Sequence, residues 1–311
     1  DVLGSRGLGD VYKRQAPDNW VNDPNGFIYY KGYYHLFYQY FPYGPRWGTM
    51  HWGHAVSKDL VSWEHKDLAL FPTIKEDQNG CFSGSAIEED GKLYLVYTGV
   101  RYEEINPHDP HTCLNDQFES AQLMIASDDG FHFDNQRHKE VIIPPVTDPL
   151  LGDRTHTRDP KIWRGKDAWY IILGSTIRRD HGEVLFYRSE DLHTWHYMNR
   201  AEKNSDYGWM WECPDYFETS GGKVLLISAM HLLKNNEKEK NHSICFTVDY
   251  DEDTCTIQIP DTYQYLDYGL DLYAPQTTVD KEGRRVLSAW IRMPKVTKEG
   301  WIGNRRLQAL A

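Results

Sequence analysis

Three acidic residues stand in settings that suit bond-breaking chemistry: Asp23 in Trp-Val-Asn-Asp-Pro-Asn-Gly, Asp159 in Arg-Asp-Pro, and Glu212 in Trp-Glu-Cys-Pro-Asp. Brought together, they form a carboxylate pocket able to cleave a glycosidic bond. That reaction needs one ionised carboxylate and one protonated acid on either side of the scissile bond. Asp23-Pro-Asn-Gly alone has the residue order of a type I turn. The flanking Trp20 and Asn22 change that reading, because an aromatic ring and an amide beside a carboxylate suit a sugar subsite. Arg158 beside Asp159 predicts an ionised carboxylate, since a neighbouring positive charge lowers its pKa; taken alone, the pair is an ordinary local ion pair of small worth. Glu212 lies among Trp209, Met210, Trp211, Cys213 and Pro214. Such surroundings desolvate a carboxylate and raise its pKa, which a general acid requires. The bland alternative is a solvent-facing glutamate at a strand edge. The division predicted is an ionised nucleophile, an ionised stabiliser and a protonated acid.

The elements that must position these residues are strands. Helical periodicity is nearly absent, and short alternating runs are separated by Gly, Asp, Asn and Pro. Five segments pair an apolar strand, a Gly-centred turn and a second, more apolar strand. Their turn glycines are Gly32, Gly91, Gly165, Gly222 and Gly283, roughly 60 residues apart. A second element follows in three units, with a Ser-x-Asp turn and then an aromatic: Ser57-Lys-Asp59, Ser127-Asp-Asp129 and Ser189-Glu-Asp191. The repeat predicts an all-β chain folded as a five-bladed β-propeller, with a β-sandwich as the competing architecture. In a propeller the innermost strands line one central channel, so residues far apart in sequence meet there. Each acid is expected just before the first strand of its own hairpin, at Phe27, Lys161 and Tyr216.

Composition narrows the function. The 311 residues are 40% hydrophobic, enough for a real core, and 14% aromatic, which favours strands and sugar-stacking surfaces. There are 46 acidic against 34 basic residues, a net charge of -12. That excludes a nucleic-acid backbone and an anionic membrane surface as partners. No apolar run reaches membrane-span length. The five cysteines, Cys81, Cys113, Cys213, Cys245 and Cys255, are scattered and odd in number, which points to free thiols and a cytoplasmic location. Residues 1–15 read as a non-native or disordered leader, and 16–311 as the catalytic propeller.

Together these motifs resemble glycoside hydrolase family 32, the invertase and fructosidase family. The resemblance spans about residues 16–302. It rests on Trp20-Val-Asn-Asp-Pro-Asn-Gly, Trp47-Gly-Thr-Met-His-Trp-Gly-His-Ala-Val-Ser, Phe82-Ser-Gly-Ser-Ala, Arg158-Asp-Pro-Lys, Glu212-Cys-Pro-Asp and Tyr273-Ala-Pro-Gln, in that order. The resemblance implies a retaining β-fructofuranosidase acting on sucrose, its 6-phosphate or short fructans. It implies Asp23 as nucleophile, Glu212 as acid/base and Asp159 as stabiliser of the transition state. For retention, the Asp23 and Glu212 carboxyls should lie about 5–5.5 Å apart. It further implies that Asn22, Gln39, Trp47, Phe82, Ser83, Arg158 and Trp290 line a fructose subsite, and that no metal or organic cofactor takes part. The partner is a small sugar; nothing in the sequence sets an oligomeric state. The family's C-terminal β-sandwich is expected to be missing and the fifth blade incomplete.

Other readings remain open at this level. A fructosyltransferase uses the same residues with a sugar in place of water, and a non-catalytic sugar-binding propeller shares the fold. An inverting glycosidase of another five-bladed family is a further possibility. His108-Asp-Pro-His-Thr-Cys113 has no standard zinc spacing and reads as a polar loop. His51 and His54 read as packing residues, and the charge run Lys234 to Lys240 as a hairpin loop. Arg178, Arg179 and His181 are expected at the funnel mouth, where they could hold a phosphate.

Overall fold

The computed structural model describes residues 14–15, 19–234, 237–238, 241–269, 271–292 and 306–310. The turn glycines act as expected. Gly32, Gly91, Gly222 and Gly283 have φ of 86, 75, 130 and 81°, a region that a side chain disfavours. Around Gly165 the reversal is closed by the Gly165 N–H donating to the Ala168 carbonyl at 2.9 Å.

Four sheets are each built from one continuous stretch of chain. The first joins Trp20–Tyr30, Tyr33–Phe41, His51–Ser57 and Trp63–Leu70 in that order. The second joins Cys81–Glu89, Lys92–Tyr102, Phe118–Ser127 and Glu140–Ile143, and the third Arg158–Arg164, Trp169–Ile177, His181–Ser189 and His196–Glu202. The fourth joins Met210–Thr219, Gly222–Met230, His242–Asp251 and Thr256–Gln258, with Gln264–Tyr265 added on His242–Asp251. All pairings are antiparallel. One further sheet draws on both ends of the chain: Leu272–Val279, Arg285–Ile291, Arg306–Leu310 and Arg14–Gln15. The predicted all-β, β-propeller arrangement is therefore present, with four complete blades of continuous chain where the repeat predicts five.

The cores lie between neighbouring blades, as a propeller requires. Phe37 and Trp52 of the first sheet pack with Leu95, Tyr97 and Leu123 of the second. Val96 and Met124 of the second meet Ile171, Leu173 and Leu185 of the third. Phe186 of the third meets Trp211, Ile227 and Phe246 of the fourth. Val286 of the remaining sheet packs on Phe27, Tyr34 and Leu36 of the first. Each such side chain, removed from water, contributes about 2–3 kcal/mol before its ordering entropy.

The Ser-x-Asp elements are one repeated turn. Ser57 Oγ accepts the N–H groups of Asp59 and Leu60 at 3.1 and 2.8 Å. Asp59 Oδ1 then accepts those of Val61 and Ser62 at 2.9 and 2.7 Å. The same pattern recurs at Ser127/Asp129 and Ser189/Asp191. The N–H groups of Ser62 and Thr194 hold the Asp59 and Asp191 carboxyls below the usual range.

Two sequence expectations change. The acids do not precede their inner strands but lie inside them, within Trp20–Tyr30, Arg158–Arg164 and Met210–Thr219. Arg14 and Gln15, assigned to the leader, pair with Leu307 and Arg306. Residues 1–13 of that leader and Asn304 lie outside the described residues. In the charge run, Leu233–Lys234 pairs with Glu237–Lys238 as a hairpin.

Candidate active site

Every inner strand breaks its ladder at the same level. Pairing skips between Val21 and Pro24, Cys81 and Gly84, Arg158 and Lys161, Glu212 and Asp215, and Tyr273 and Gln276. The skipped residues are Asn22–Asp23, Phe82–Ser83, Asp159–Pro160, Cys213–Pro214 and Ala274–Pro275. A bulge frees backbone from the ladder and re-aims side chains, which suits the mouth of a site. Asp159, Cys213 and Ala274 adopt φ of 64, 46 and 50°. That conformation costs a non-glycine residue about 1–2 kcal/mol. Hydrogen bonds across blades offset it: Asp159 N–H to Thr98 Oγ1 at 2.9 Å, Cys213 N–H to Asp159 Oδ2 at 2.9 Å, and Ala274 N–H to Ser228 Oγ at 3.1 Å. A proline follows each, so no orphan N–H is left at the break.

The bulges bring the three acids to one cavity of about 560 Å³, lined by Asn22, Asp23, Gln39, Trp47, Phe82, Ser83, Arg158, Asp159 and Glu212 among others. Its size suits a disaccharide-sized ligand. Ser83 Oγ donates to Asp23 Oδ2 at 2.6 Å. The Cys213 thiol reaches both aspartates, at 3.7 Å from Asp23 Oδ2 and 3.5 Å from Asp159 Oδ2. Trp20 Nε1 donates to Asn22 Oδ1 at 2.9 Å, which fixes the Asn22 amide. Gln39 Nε2 donates to the Cys81 carbonyl at 3.0 Å. The Trp47 and Phe82 rings meet edge to face, their centroids 5.6 Å apart.

Charge is distributed differently from the sequence expectation. Arg158 Nη2 binds Glu212 Oε1 at 2.8 Å, whereas its Nε lies 4.0 Å from Asp159 Oδ2. Tyr273 OH donates to Glu212 Oε2 at 2.6 Å. Glu212 is thus held on both oxygens and is not a carboxyl isolated among aromatic rings. Of its apolar sequence neighbours, Trp209 shares the cavity, while Trp211 is wholly buried in the core between the third and fourth sheets. Two local features explain the corrections: strand alternation turns Trp211 into the core and away from Glu212, whereas the bulge at Asp159 puts Arg158 and Asp159 on the same cavity and Arg158 reaches across to Glu212 of the next sheet.

Burial pushes Asp159 up to about 7, with Arg158 opposing and Glu212 and Asp23 adding repulsion. Burial likewise pushes Asp23 up to about 6, opposed by the Ser83 hydroxyl and reinforced by Glu212. The sequence predicts an ionised Asp159 beside Arg158; its burial outweighs that pairing. Burial opposes the Arg158 charge, but Glu212 and then Asp159 hold its pKa above the ordinary value.

Trp290 does not line the cavity. It packs behind Tyr273 with centroids 6.4 Å apart, and against Trp20 at 6.5 Å. Tyr273, whose motif carries no role by sequence alone, is the residue that reaches Glu212. At the rim, His156 Nε2 and Arg179 Nη1 lie 3.0 and 3.3 Å from Asp116 Oδ2, and Asp116 lines the cavity. Burial, then Arg158 and Arg179, lower the His156 pKa to about 3. Arg179 therefore reaches the mouth, whereas His181 faces Asp180 and Glu202 at 3.0 and 3.6 Å. In the His108–Cys113 loop, His111 bonds Thr49 Oγ1 at 2.9 Å and Thr112 and Cys113 line the cavity. Among the described residues no three His, Cys, Asp or Glu side chains form a metal-binding group. No helix among them is long and apolar enough to cross a membrane.

Known proteins resemble this chain over most of its length. Residues 14–308 match the family described as the glycosyl hydrolases family 32 N-terminal domain. The raffinose invertase of Escherichia coli is 35% identical over 305 residues, covering 94% of this chain and 60% of that protein. A sucrose-6-phosphate hydrolase of Zymomonas mobilis is 38% identical over 305 residues, covering 91% of this chain and 56% of its own length. The structure of a family 32 β-fructofuranosidase from Bombyx mori superposes with a TM-score of 0.81 at 36% identity, covering 96% of this chain and 61% of that one. The chain thus spans roughly 60% of the length of these relatives.

Proposed function

The chain belongs to glycoside hydrolase family 32, and from that premise we propose that it is the catalytic propeller of a retaining β-fructofuranosidase. The carrying observation is the convergence of Asp23, Asp159 and Glu212 on one cavity, with Cys213 touching both aspartates and Arg158 bound to Glu212. Asp23, ionised, attacks the anomeric carbon of a fructosyl unit. Glu212 gives its proton to the departing sugar oxygen and then takes one from water. Tyr273 and Arg158 hold its two oxygens in place for that exchange. Asp159 uses Oδ2 on the Cys213 N–H and thiol, which leaves Oδ1 for fructose hydroxyls. In the transition state the positive charge at the anomeric centre favours the ionised Asp159, so its burial becomes an asset at that moment.

Asn22, Gln39, Trp47, Phe82, Ser83 and Arg158 form the fructose subsite, amides and hydroxyls meeting sugar hydroxyls and aromatic edges covering apolar ring faces. Trp290 acts through Tyr273. The sheet that joins Leu272–Val279 to Arg14–Gln15 is a fifth blade, its outer strand supplied from the start of the chain. On this reading Arg14 and Gln15 belong to the propeller together with residues 16–311. The preferred substrate is sucrose or its 6-phosphate, and the names of the bacterial relatives support that choice. Five free cysteines support a cytoplasmic location.

The test is fructose release from sucrose, sucrose-6-phosphate, kestose and inulin, with Asp23→Asn as control. Release that disappears in the variant supports the assignment, and oligosaccharide products at high sucrose would reveal transfer. Binding without release from any of the four would refute it in favour of a non-catalytic propeller.

A further inference from the structure

The same five inner strands end in a second cavity. The active cavity uses their first residues, such as Asp23, Ser83, Arg158 and Glu212. A cavity of about 590 Å³ uses residues farther along them: Tyr29, Ala86, Lys161, Phe217 and Thr278. The two therefore open at opposite ends of the axial channel. Polar side chains close the channel between them. Gln276 Nε2 donates to the Gly84 carbonyl at 2.6 Å, Gly84 N–H to Asn25 Oδ1 at 3.2 Å, and Ser85 Oγ to the Pro160 carbonyl at 2.7 Å. Lys161 Nζ sits 3.1 Å from the buried Asp215, which also accepts Thr277 N–H at 2.6 Å. A ligand in the far cavity cannot be a substrate on its way to Asp23.

That far cavity is basic on a protein of net charge -12. Arg164, Lys166 and Arg285 line it, and none is ion-paired with a carboxylate among the described residues, although the Asp215 charge opposes the effect of burial on Arg285. Arg285 is half-buried, lies 4.6 Å over the Phe217 ring and donates to Thr277 Oγ1 at 3.2 Å. The two acids in the wall are already engaged. Glu218 accepts the Tyr216 hydroxyl at 2.9 Å and lies 3.6 Å from Lys223, and Glu252 accepts the Lys166 N–H at 2.8 Å. The Trp163, Phe217 and Tyr29 rings are partly exposed there.

We propose that this far mouth of the channel is a binding site for a small phosphorylated sugar. Guanidinium and ammonium groups without carboxylate partners suit a phosphate dianion. Partly exposed aromatic faces suit a sugar ring, and the volume admits a hexose phosphate.

The test is calorimetric titration of the Asp23→Asn protein with glucose 6-phosphate, inorganic phosphate and glucose. Glucose 6-phosphate binds most tightly, phosphate more weakly, and glucose not measurably at about 10 mM. Arg285→Gln weakens glucose 6-phosphate binding about tenfold or more, close to one charge-assisted hydrogen bond. Lys166→Gln, at an exposed position with no folding role, weakens it by a smaller factor. Arg179→Ala, at the other mouth, leaves it unchanged. The proposal is overturned if no saturable binding occurs, if glucose binds as well as its phosphate, if neither Arg285→Gln nor Lys166→Gln weakens binding, or if Arg179→Ala abolishes it.

Discussion

Replacing Asp159 by Asn should stabilise the folded protein at pH 8 while removing activity. Asp159 is 6% exposed, and burial raises its pKa from 3.8 to about 7. Below pH 4 the carboxyl is protonated folded or unfolded, and burial carries no charge penalty. Between about pH 4 and 7 the unfolded chain releases its proton first, so stability falls as pH rises through that window. A rise of that size corresponds to a loss of about 4 kcal/mol, fully present above pH 7. Asn keeps an acceptor oxygen for the Cys213 N–H, whose bond to Asp159 Oδ2 is 2.9 Å. It loses only the charge. Allowing for rearrangement, the gain at pH 8 is about 2–4 kcal/mol, or roughly 4–8 °C in Tm for a chain of this size. The assay is thermal melting of both proteins at pH 4, 6 and 8. The variant should melt higher at pH 8 and equal to the parent at pH 4. An unchanged Tm at pH 8, or the same difference at all three values, would refute the electrostatic account of the site. A gain of this kind at the expense of turnover is the usual signature of a strained functional residue.

Four further outcomes follow from the same geometry. Tyr273→Phe removes the 2.6 Å hydrogen bond to Glu212 Oε2 and should lower kcat/KM about tenfold, with little change in Tm, as steady-state kinetics and melting would report. Gly174→Ala would place a Cβ 2.1 Å from the Trp211 carbonyl, so it should cost about 3 kcal/mol or more and expose the third-to-fourth blade contact in denaturant melts. Since Asp23 must be ionised to attack and its pKa is pushed up to about 6, kcat/KM should fall as pH drops below that value. Arg179→Ala should raise KM for sucrose-6-phosphate several-fold more than for sucrose; equal effects would show that Arg179 serves only its bond to Asp116.

Much of the fold is legible in the sequence because the repeat is local. A Gly-centred reversal and a Ser-x-Asp turn each depend on a few adjacent residues, and both recur at the expected places. The three acids are legible for a related reason, since each stands within two residues of a proline early in its unit. What sequence does not carry is direction. Arg158 and Asp159 share the cavity because the strand bulges between them, and Arg158 reaches across to Glu212, so local reading misses both that pairing and the burial that pushes Asp159 up. Tyr273 is hidden because its role is a contact across blades, 61 residues from Glu212. The recurrence of Asp159-Pro160, Cys213-Pro214 and Ala274-Pro275 is the available signal: the same dipeptide position in three units marks the level where every ladder breaks. Trp290 is misplaced by sequence reading because it supports that tyrosine from behind, a relation no motif expresses. The sheet that joins the two chain ends is likewise a long-range pairing without a local mark.

The central claim is double displacement with Asp23 as nucleophile. Turnover of sucrose in the presence of methanol, with the methyl fructoside identified by NMR, tests it directly, because the glycoside preserves the stereochemistry of the enzymatic step. Two inversions yield methyl β-fructofuranoside, and Asp23→Asn yields none. Methyl α-fructofuranoside as the first product would mean a single inversion, and Asp23 would not be the nucleophile.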